Sequence, residues 1–185
     1  MTNQQWIDGV FAETDTDYTI AGKNILYKNE KDYLKKGVEL LCDELSPTSV
    51  LEFGFGKGWT ATEFQKQGIA RHVILEPNKE VYKMALTWKA DYSTDIEILN
   101  IFSWDYEGGE AFDLVYNDIQ PFTLDDNNKH KSQMITILPE GQWYAGWASK
   151  ASGRQYDDYP IYFELDDILY IQSLLKWNQP KRFIV

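Results

Sequence analysis

Cysteine, histidine and positive charge are all scarce in this 185-residue chain, and no apolar run is long enough to cross a bilayer. The single cysteine, Cys42, excludes an internal disulfide. No basic amino-terminal stretch followed by an apolar one is present, so a reduced, cytoplasmic setting is expected. The two histidines, His72 and His130, stand far apart without a cysteine at ligand spacing, and no metal site is expected. Lysine and arginine number 18 against 29 acids, a formal charge of −11 that repels phosphate backbones. Nucleic acid and anionic membranes are therefore poor partners, and a small-molecule substrate with a cationic head is favoured. What the chain does have is 43% hydrophobic and 15% aromatic residues, enough for the core of one domain without staples.

The most informative stretch is Val50-Leu51-Glu52-Phe53-Gly54-Phe55-Gly56-Lys57-Gly58-Trp59, where an apolar strand meets a glycine loop and then a helical pattern. Glycines let backbone approach a ligand, and the following helix turns its free N–H groups toward the loop. Trp59 stands where the third glycine of G-x-G-x-x-G would fall, which argues against NAD. Glu52-x-Gly54-x-Gly56-x-Gly58 instead resembles motif I of the class I methyltransferases, whose loop packs under the methionine part of S-adenosylmethionine. About twenty residues on, His72-Val73-Ile74-Leu75-Glu76 reads as a second buried strand ending in a carboxylate. Glu76 is placed to accept hydrogen bonds from the ribose hydroxyls, with a solvated strand-end charge as the plain alternative.

No repeat, low-complexity tract or linker interrupts the chain, so residues 1–185 are expected to form one domain, with residues 1–28 as an amino-terminal cap or lid. A helix over Glu30–Leu45 stops before Ser46-Pro47. Strand Ser49–Phe53, helix Thr60–Lys66, strand His72–Leu75, helix Lys79–Lys89 and strands Asp95–Ile101 and Phe112–Tyr116 alternate as in an α/β domain. Beyond them, Ser132–Leu138, Pro139-Glu140-Gly141 and Gln142–Ala148 read as helix, turn and strand. Leu165–Trp177 reads as another helix before Lys181–Val185. The fold class expected is α/β, a Rossmann-like class I methyltransferase sheet with helices on both faces. Ligands of such sheets sit outside the carboxyl ends of the strands. The candidates there are Gly54, Gly56, Glu76, Phe102–Asp105 and Asn117–Pro121. In class I methyltransferases the Phe102–Asp105 position holds the adenine, which brings in Ser103 and Trp104, though Trp104 serves equally well as core.

Several separated segments are similar to one family, the guanidinoacetate N-methyltransferases. Leu51-Glu52-Phe53-Gly54-Phe55-Gly56 resembles its L-E-V-G-F-G, and His72–Asn78 resembles its H-W-I-I-E-C-N. Phe112-Asp113-Leu114-Val115-Tyr116-Asn117-Asp118-Ile119-Gln120-Pro121 resembles F-D-G-I-L-Y-D-T-Y-P, and Ile20-Ala21-Gly22-Lys23 resembles I-L-G-K. Glu30 stands seven residues beyond that lysine, where the family has a glutamate, and Trp6 lies near a tryptophan that closes over the site. The resemblance implies S-adenosylmethionine as cofactor, held by Trp6, Glu52, Gly54, Phe55, Gly56, Gly58, Glu76, Pro77, Ser103, Trp104 and Asp118. It implies Asp118 and Glu30 as catalytic carboxylates that grip a guanidino group, Asp118 taking the proton as the N–C bond forms. The plain alternatives are a helix-start charge for Glu30 and a turn acid for Asp118.

The departures fall where the acceptor is chosen. Gln120 replaces a tyrosine, and Gly146-Trp147-Ala148-Ser149-Lys150 replaces the run that binds the substrate carboxylate. Ser149 and Lys150 can still serve an anion or be a solvated loop. The chain also stops where the family continues, so a carboxyl-terminal strand is expected to be missing from the sheet. The functional expectation is N-methylation of a small guanidino or amine compound. Two alternatives stand beside it: a module that binds the cofactor without turnover, and a methyltransferase for a protein or other small molecule.

Overall fold

The computed structural model describes residues 1–119, 124–137, 143–149, 167–173 and 182–184. The chain opens with helix α1 (Asn3–Ile7) and three short strands, β1 (Phe11–Glu13), β2 (Asp17–Ile20) and β3 (Lys23–Tyr27), which pair antiparallel in that order. Helix α2 (Lys31–Leu45) follows, burying Leu34, Gly37, Val38, Leu41 and Cys42 at helical spacing. It ends at Ser46 in the left-handed conformation, where the backbone N–H donates to the Cys42 carbonyl at 2.8 Å just before Pro47.

The main sheet comprises β4 (Ser49–Phe53), β5 (Arg71–Leu75), β6 (Asp95–Leu99), β7 (Leu114–Asn117), β8 (Trp143–Ser149), β9 (Asp167–Ser173) and β10 (Arg182–Ile184). Helices α3 (Trp59–Lys66), α4 (Lys79–Lys89) and α5 (Leu124–Ile137) lie between strands in sequence. The spatial order is β10-β9-β8-β7-β4-β5-β6, parallel from β6 through β8 and antiparallel at β9 and β10. β5 and β7 flank β4 on opposite sides, so the strand order reverses there. That switch point opens a crevice at the carboxyl ends of β4, β5 and β7.

The apolar strand β4 is buried on both faces, as a central parallel strand must be. Val50 joins Val38, Leu41, Phe64, Leu114 and Tyr116 on one side, whereas Leu51 and Phe53 join Val73, Leu75, Phe112 and Val115 on the other. Truncating a fully buried leucine such as Leu51 or Leu114 to alanine costs about 2–5 kcal/mol. Ile20 of β2 packs with Phe55, Ile74, Val81 and Ile96, which seats the small amino-terminal sheet against the main one.

The α/β class and helical alternation agree with the sequence reading, and α4 agrees to the residue. Two expectations are corrected. Within the helix expected over Leu165–Trp177, the described residues form a strand: β9 runs from Asp167 to Ser173, paired antiparallel with β8 in a register that sets Trp143 opposite Ser173. Short apolar runs are ambiguous by period alone, and here the open edge of β8 supplies the ladder that decides. The expected missing strand is also corrected, because three strands follow β7 and bring the sheet to seven. Among smaller shifts, β6 stops at Leu99, β7 runs from Leu114 to Asn117, and α5 begins at Leu124. No helix among the described residues is long and apolar enough to cross a membrane.

Candidate functional site

The glycine loop between β4 and α3 forms the floor of an open cavity lined also by the ends of β4 and β5 and the residues just beyond β7. Gly54, Gly56 and Gly58 all adopt positive φ, at 85°, 54° and 68°. Gly58 is required by packing, since a Cβ there would lie 2.5 Å from the Phe55 ring. At Gly56 the reverse holds: an added Cβ would meet only Leu26, at 3.7 Å, so the loop leaves space along the cavity floor. The Gly54 N–H donates to the Leu75 carbonyl at 2.9 Å and the Asp118 N–H to the Phe53 carbonyl at 3.2 Å, so the ends of β4, β5 and β7 are tied into one rim.

Glu76 enters this cavity from the end of β5 and is only 4% exposed. Its Oε2 accepts from the Phe55 N–H at 3.0 Å and its Oε1 from the Asn78 N–H at 2.8 Å. Burial pushes its pKa up to about 7, while backbone donors from Phe55, Asn78 and Gly56 pull the other way. Each carboxylate oxygen has further lone-pair capacity, so the group can still accept from paired hydroxyls.

Beside it, Asn78 is fully buried and makes a hub that sequence reasoning did not single out. Its Oδ1 caps α4 by accepting from the N–H groups of Glu80 and Val81, both at 3.0 Å. Its Nδ2 donates to the carbonyls of Trp6 at 2.7 Å and Gly9 at 2.8 Å. The Phe11 N–H donates to Glu80 at 2.6 Å and Lys79 pairs with Asp8 at the same distance. These contacts dock the amino-terminal segment on the start of α4 and bring Trp6 to the cavity wall. The sequence signals were an Asn at the N-cap position of a clear helix and its place as the last residue of the His72–Asn78 motif.

Of the expected site residues, Trp6, Gly54, Phe55, Gly56, Glu76, Pro77, Ser103, Trp104 and Asp118 all line this cavity. Trp104 stacks on Phe102 with ring centroids 4.5 Å apart and planes 9° from parallel, in the wall beyond β6. Ile20, Ile25, Leu26, Leu34 and Trp59 complete an apolar wall that the sequence did not reveal.

Three expected positions, Glu52, Gly58 and Glu30, do not line the cavity. Glu52 is wholly buried and does not line the cavity: it accepts from the Thr60 hydroxyl and faces His72, with Oε2 2.9 Å from Nε2. Neither atom finds another partner among the described residues, and with the Gln65 amide 3.1 Å from Nδ1 the ring hydrogen belongs on Nε2, facing the carboxylate. Glu52 thus braces β4 against β5 and α3 beneath the loop. Gly58 likewise serves packing. Glu30 sits in the turn before α2 and accepts from the Tyr27 N–H at 2.8 Å, outside the cavity wall that its neighbours Leu26 and Leu34 join. Ser149 is described only as the last residue of β8, opposite Asp167. Gln120 and Lys150 lie outside the described residues.

The sequence model for guanidinoacetate N-methyltransferase matches residues 2–141. The chain belongs to that family. Membership makes it an S-adenosylmethionine-dependent methyltransferase, and the cavity residues fit that cofactor: an acid at the end of β5, an apolar wall and a glycine with open space before it. Solved structures share the fold. The N-methyltransferase NodS from Bradyrhizobium japonicum WM9, in complex with S-adenosyl-L-homocysteine, has 15% identity and a TM-score of 0.55 over 70% of this chain and 67% of that one. The methylase HI0767 from Haemophilus influenzae has 15% identity and a TM-score of 0.59 over 78% and 98%. A methyltransferase from Clostridium acetobutylicum has 14% identity and a TM-score of 0.56 over 77% and 61%.

Proposed function

We propose that this family member methylates a nitrogen of a small guanidino or amine compound, with Asp118 as the group that holds that nitrogen and receives its proton. The observation carrying the proposal is that Asp118 and Glu76, at the ends of β7 and β5, line one cavity on either side of the glycine loop. When bound, S-adenosylmethionine supplies a methyl group on an electrophilic sulfonium. A protonated guanidino group is delocalised and a poor nucleophile. A carboxylate localises that charge through charge-assisted hydrogen bonds and takes the proton the nitrogen sheds as its bond to carbon forms. Glu76 and the glycine loop fix one partner and Asp118 the other, and holding reacting atoms in line supplies much of the acceleration. Trp6 and the wall of Ile20, Leu26 and Leu34 exclude water. In this reading residues 1–28 act as the cap, and the whole chain works as one domain.

Glu30 is proposed as a second grip on the cationic head, on the strength of the family resemblance. Glu30 does not belong to the cavity wall, which favours a second reading: an acceptor held by Asp118 alone, such as a simple amine. A panel of guanidinoacetate, longer guanidino acids, arginine derivatives and simple amines, screened by mass shift with S-adenosylmethionine, tests both. Methylation of guanidino members supports the first reading, methylation of amines only supports the second, and no methylation of any member contradicts the assignment of a small nitrogen acceptor.

A further inference from the structure

Ser103 and His130 are each 4% exposed, and the Ser103 Oγ lies 2.7 Å from the His130 Nδ1. Ser103 lines the cavity just beyond β6, while His130 stands behind it on α5, edge-on to the Phe53 ring at 5.3 Å and 90°. One turn further along α5, the Gln133 amide donates to the Tyr106 carbonyl at 2.5 Å and fixes the helix against the turn that carries Ser103. The other ring nitrogen of His130, Nε2, has no hydrogen-bond partner among the described residues. Burial lowers the imidazole pKa to about 4, so the ring is neutral near pH 7. A phenylalanine would fill this core position without burying an unpartnered ring nitrogen, so the imidazole needs a reason, and among the described residues its hydrogen bond is to Ser103.

A neutral imidazole has one ring hydrogen, and its position decides what Ser103 can do. With the hydrogen on Nε2, a buried N–H is orphaned and the serine hydrogen is used up on Nδ1. With it on Nδ1, the orphan is only a lone pair, and orphaned buried N–H groups are the rarer kind. Ser103 then accepts from His130 and keeps its own hydrogen for the cavity.

We propose that Ser103 donates a hydrogen bond to an unprotonated ring nitrogen of the cofactor's purine, and that His130 is the positioning residue that holds this hydroxyl hydrogen toward the cavity. The inference rests on the reading that the cofactor occupies this cavity with its base beside Phe102–Asp105. It adds a role for His130 and a direction for the Ser103 hydroxyl hydrogen, neither of which the sequence suggested, because residues 103 and 130 meet only through the docking of α5.

The test is calorimetric titration of S-adenosylhomocysteine into the wild type, Ser103→Ala, His130→Phe and the double variant. Ser103→Ala is expected to weaken binding about 5- to 10-fold, His130→Phe by a similar factor, and the double variant no more than Ser103→Ala alone. Analogues in which one purine ring nitrogen at a time is replaced by C–H should include one that the wild type discriminates against and Ser103→Ala does not. The nitrogen-15 spectrum of His130 should place its hydrogen on Nδ1. Additive losses, wild-type affinity and discrimination in Ser103→Ala, or a hydrogen on Nε2 would each overturn the proposal. Should His130→Phe fail to fold, Ser103→Ala with the analogues and the wild-type spectrum decide alone. Failure of the wild type to bind S-adenosylhomocysteine removes the cofactor placement itself and this inference with it, whereas tight wild-type binding with unaffected variants overturns only the Ser103–His130 pair.

Discussion

The two halves of the cavity are built in different ways. The rim at the glycine loop comes from one βαβ unit, β4 through β5, in which Gly54, Gly56 and Glu76 are delivered by consecutive elements with parallel register. The opposite wall, which includes the proposed acceptor side, is assembled from residues far apart in sequence: Trp6, Leu26 and Leu34 from the amino-terminal end, and Asp118 from the end of β7. What joins the halves is Asn78, whose backbone N–H supports Glu76 while its side chain holds the Trp6 and Gly9 carbonyls. A local unit is rigid by its own hydrogen bonds, whereas an assembled wall is only as firm as its docking contacts.

The largest expected effect that separates the halves is at Asp118. Asp118→Asn keeps the shape and removes the proton acceptor, so turnover should fall by about 10²-fold or more with cofactor affinity retained. Retained turnover, or loss of cofactor affinity, would merge the two halves into one.

Next is the joint itself. Asn78→Ala leaves the Trp6 and Gly9 carbonyls and the first turn of α4 without their partner, at a cost of about 2–3 kcal/mol in urea unfolding. Residues near Trp6 should become sensitive to protease before the core does. A loss below about 0.5 kcal/mol would show that Ile20 packing alone docks the segment.

Glu30→Gln comes third and sharpens the acceptor side. If Glu30 grips a cationic acceptor, KM should rise about tenfold with cofactor affinity unchanged, as expected on losing a charged hydrogen bond. If its role ends at the Tyr27 N–H, only stability should shift, by a fraction of a kcal/mol.

The smallest effect is the pH dependence from Glu76, whose folded pKa is raised to about 7 from an ordinary 4.5. The folded apoprotein therefore keeps a proton that the unfolded chain releases, so this group's contribution to stability falls as pH rises from about 4.5 through 7. Hydroxyl donors favour the ionised form, so cofactor affinity should strengthen several-fold between pH 6 and 8 and level off above. Glu76→Gln should remove both slopes, and an unchanged affinity profile in that variant would detach Glu76 from the ligand.

The same contrast accounts for what could be read in the sequence. Glycine spacing, the apolar strands and a strand-end acid are local signals, and they located β4, β5 and α4 nearly to the residue. Strands of three to five residues such as β1–β3 carry too little period to register, so the apolar wall of Ile20, Ile25 and Leu26 went unread. Motif position marked Glu52 as a cofactor residue, but in a central parallel strand its side chain turned instead to His72 and Thr60, a pairing set by strand register and invisible in spacing. Ser103 and His130 meet for the same reason, through packing between distant segments.

The claim on which the rest depends is that the glycine loop floors the cofactor site, and the most direct test is calorimetric titration of wild type and Gly56→Trp. The wild type should bind S-adenosylmethionine and S-adenosylhomocysteine and ignore NAD. Gly56→Trp should keep its fold by circular dichroism and bind neither, because the indole would fill the space that opens before Gly56. Unchanged affinity for S-adenosylhomocysteine in a folded Gly56→Trp protein would contradict the account.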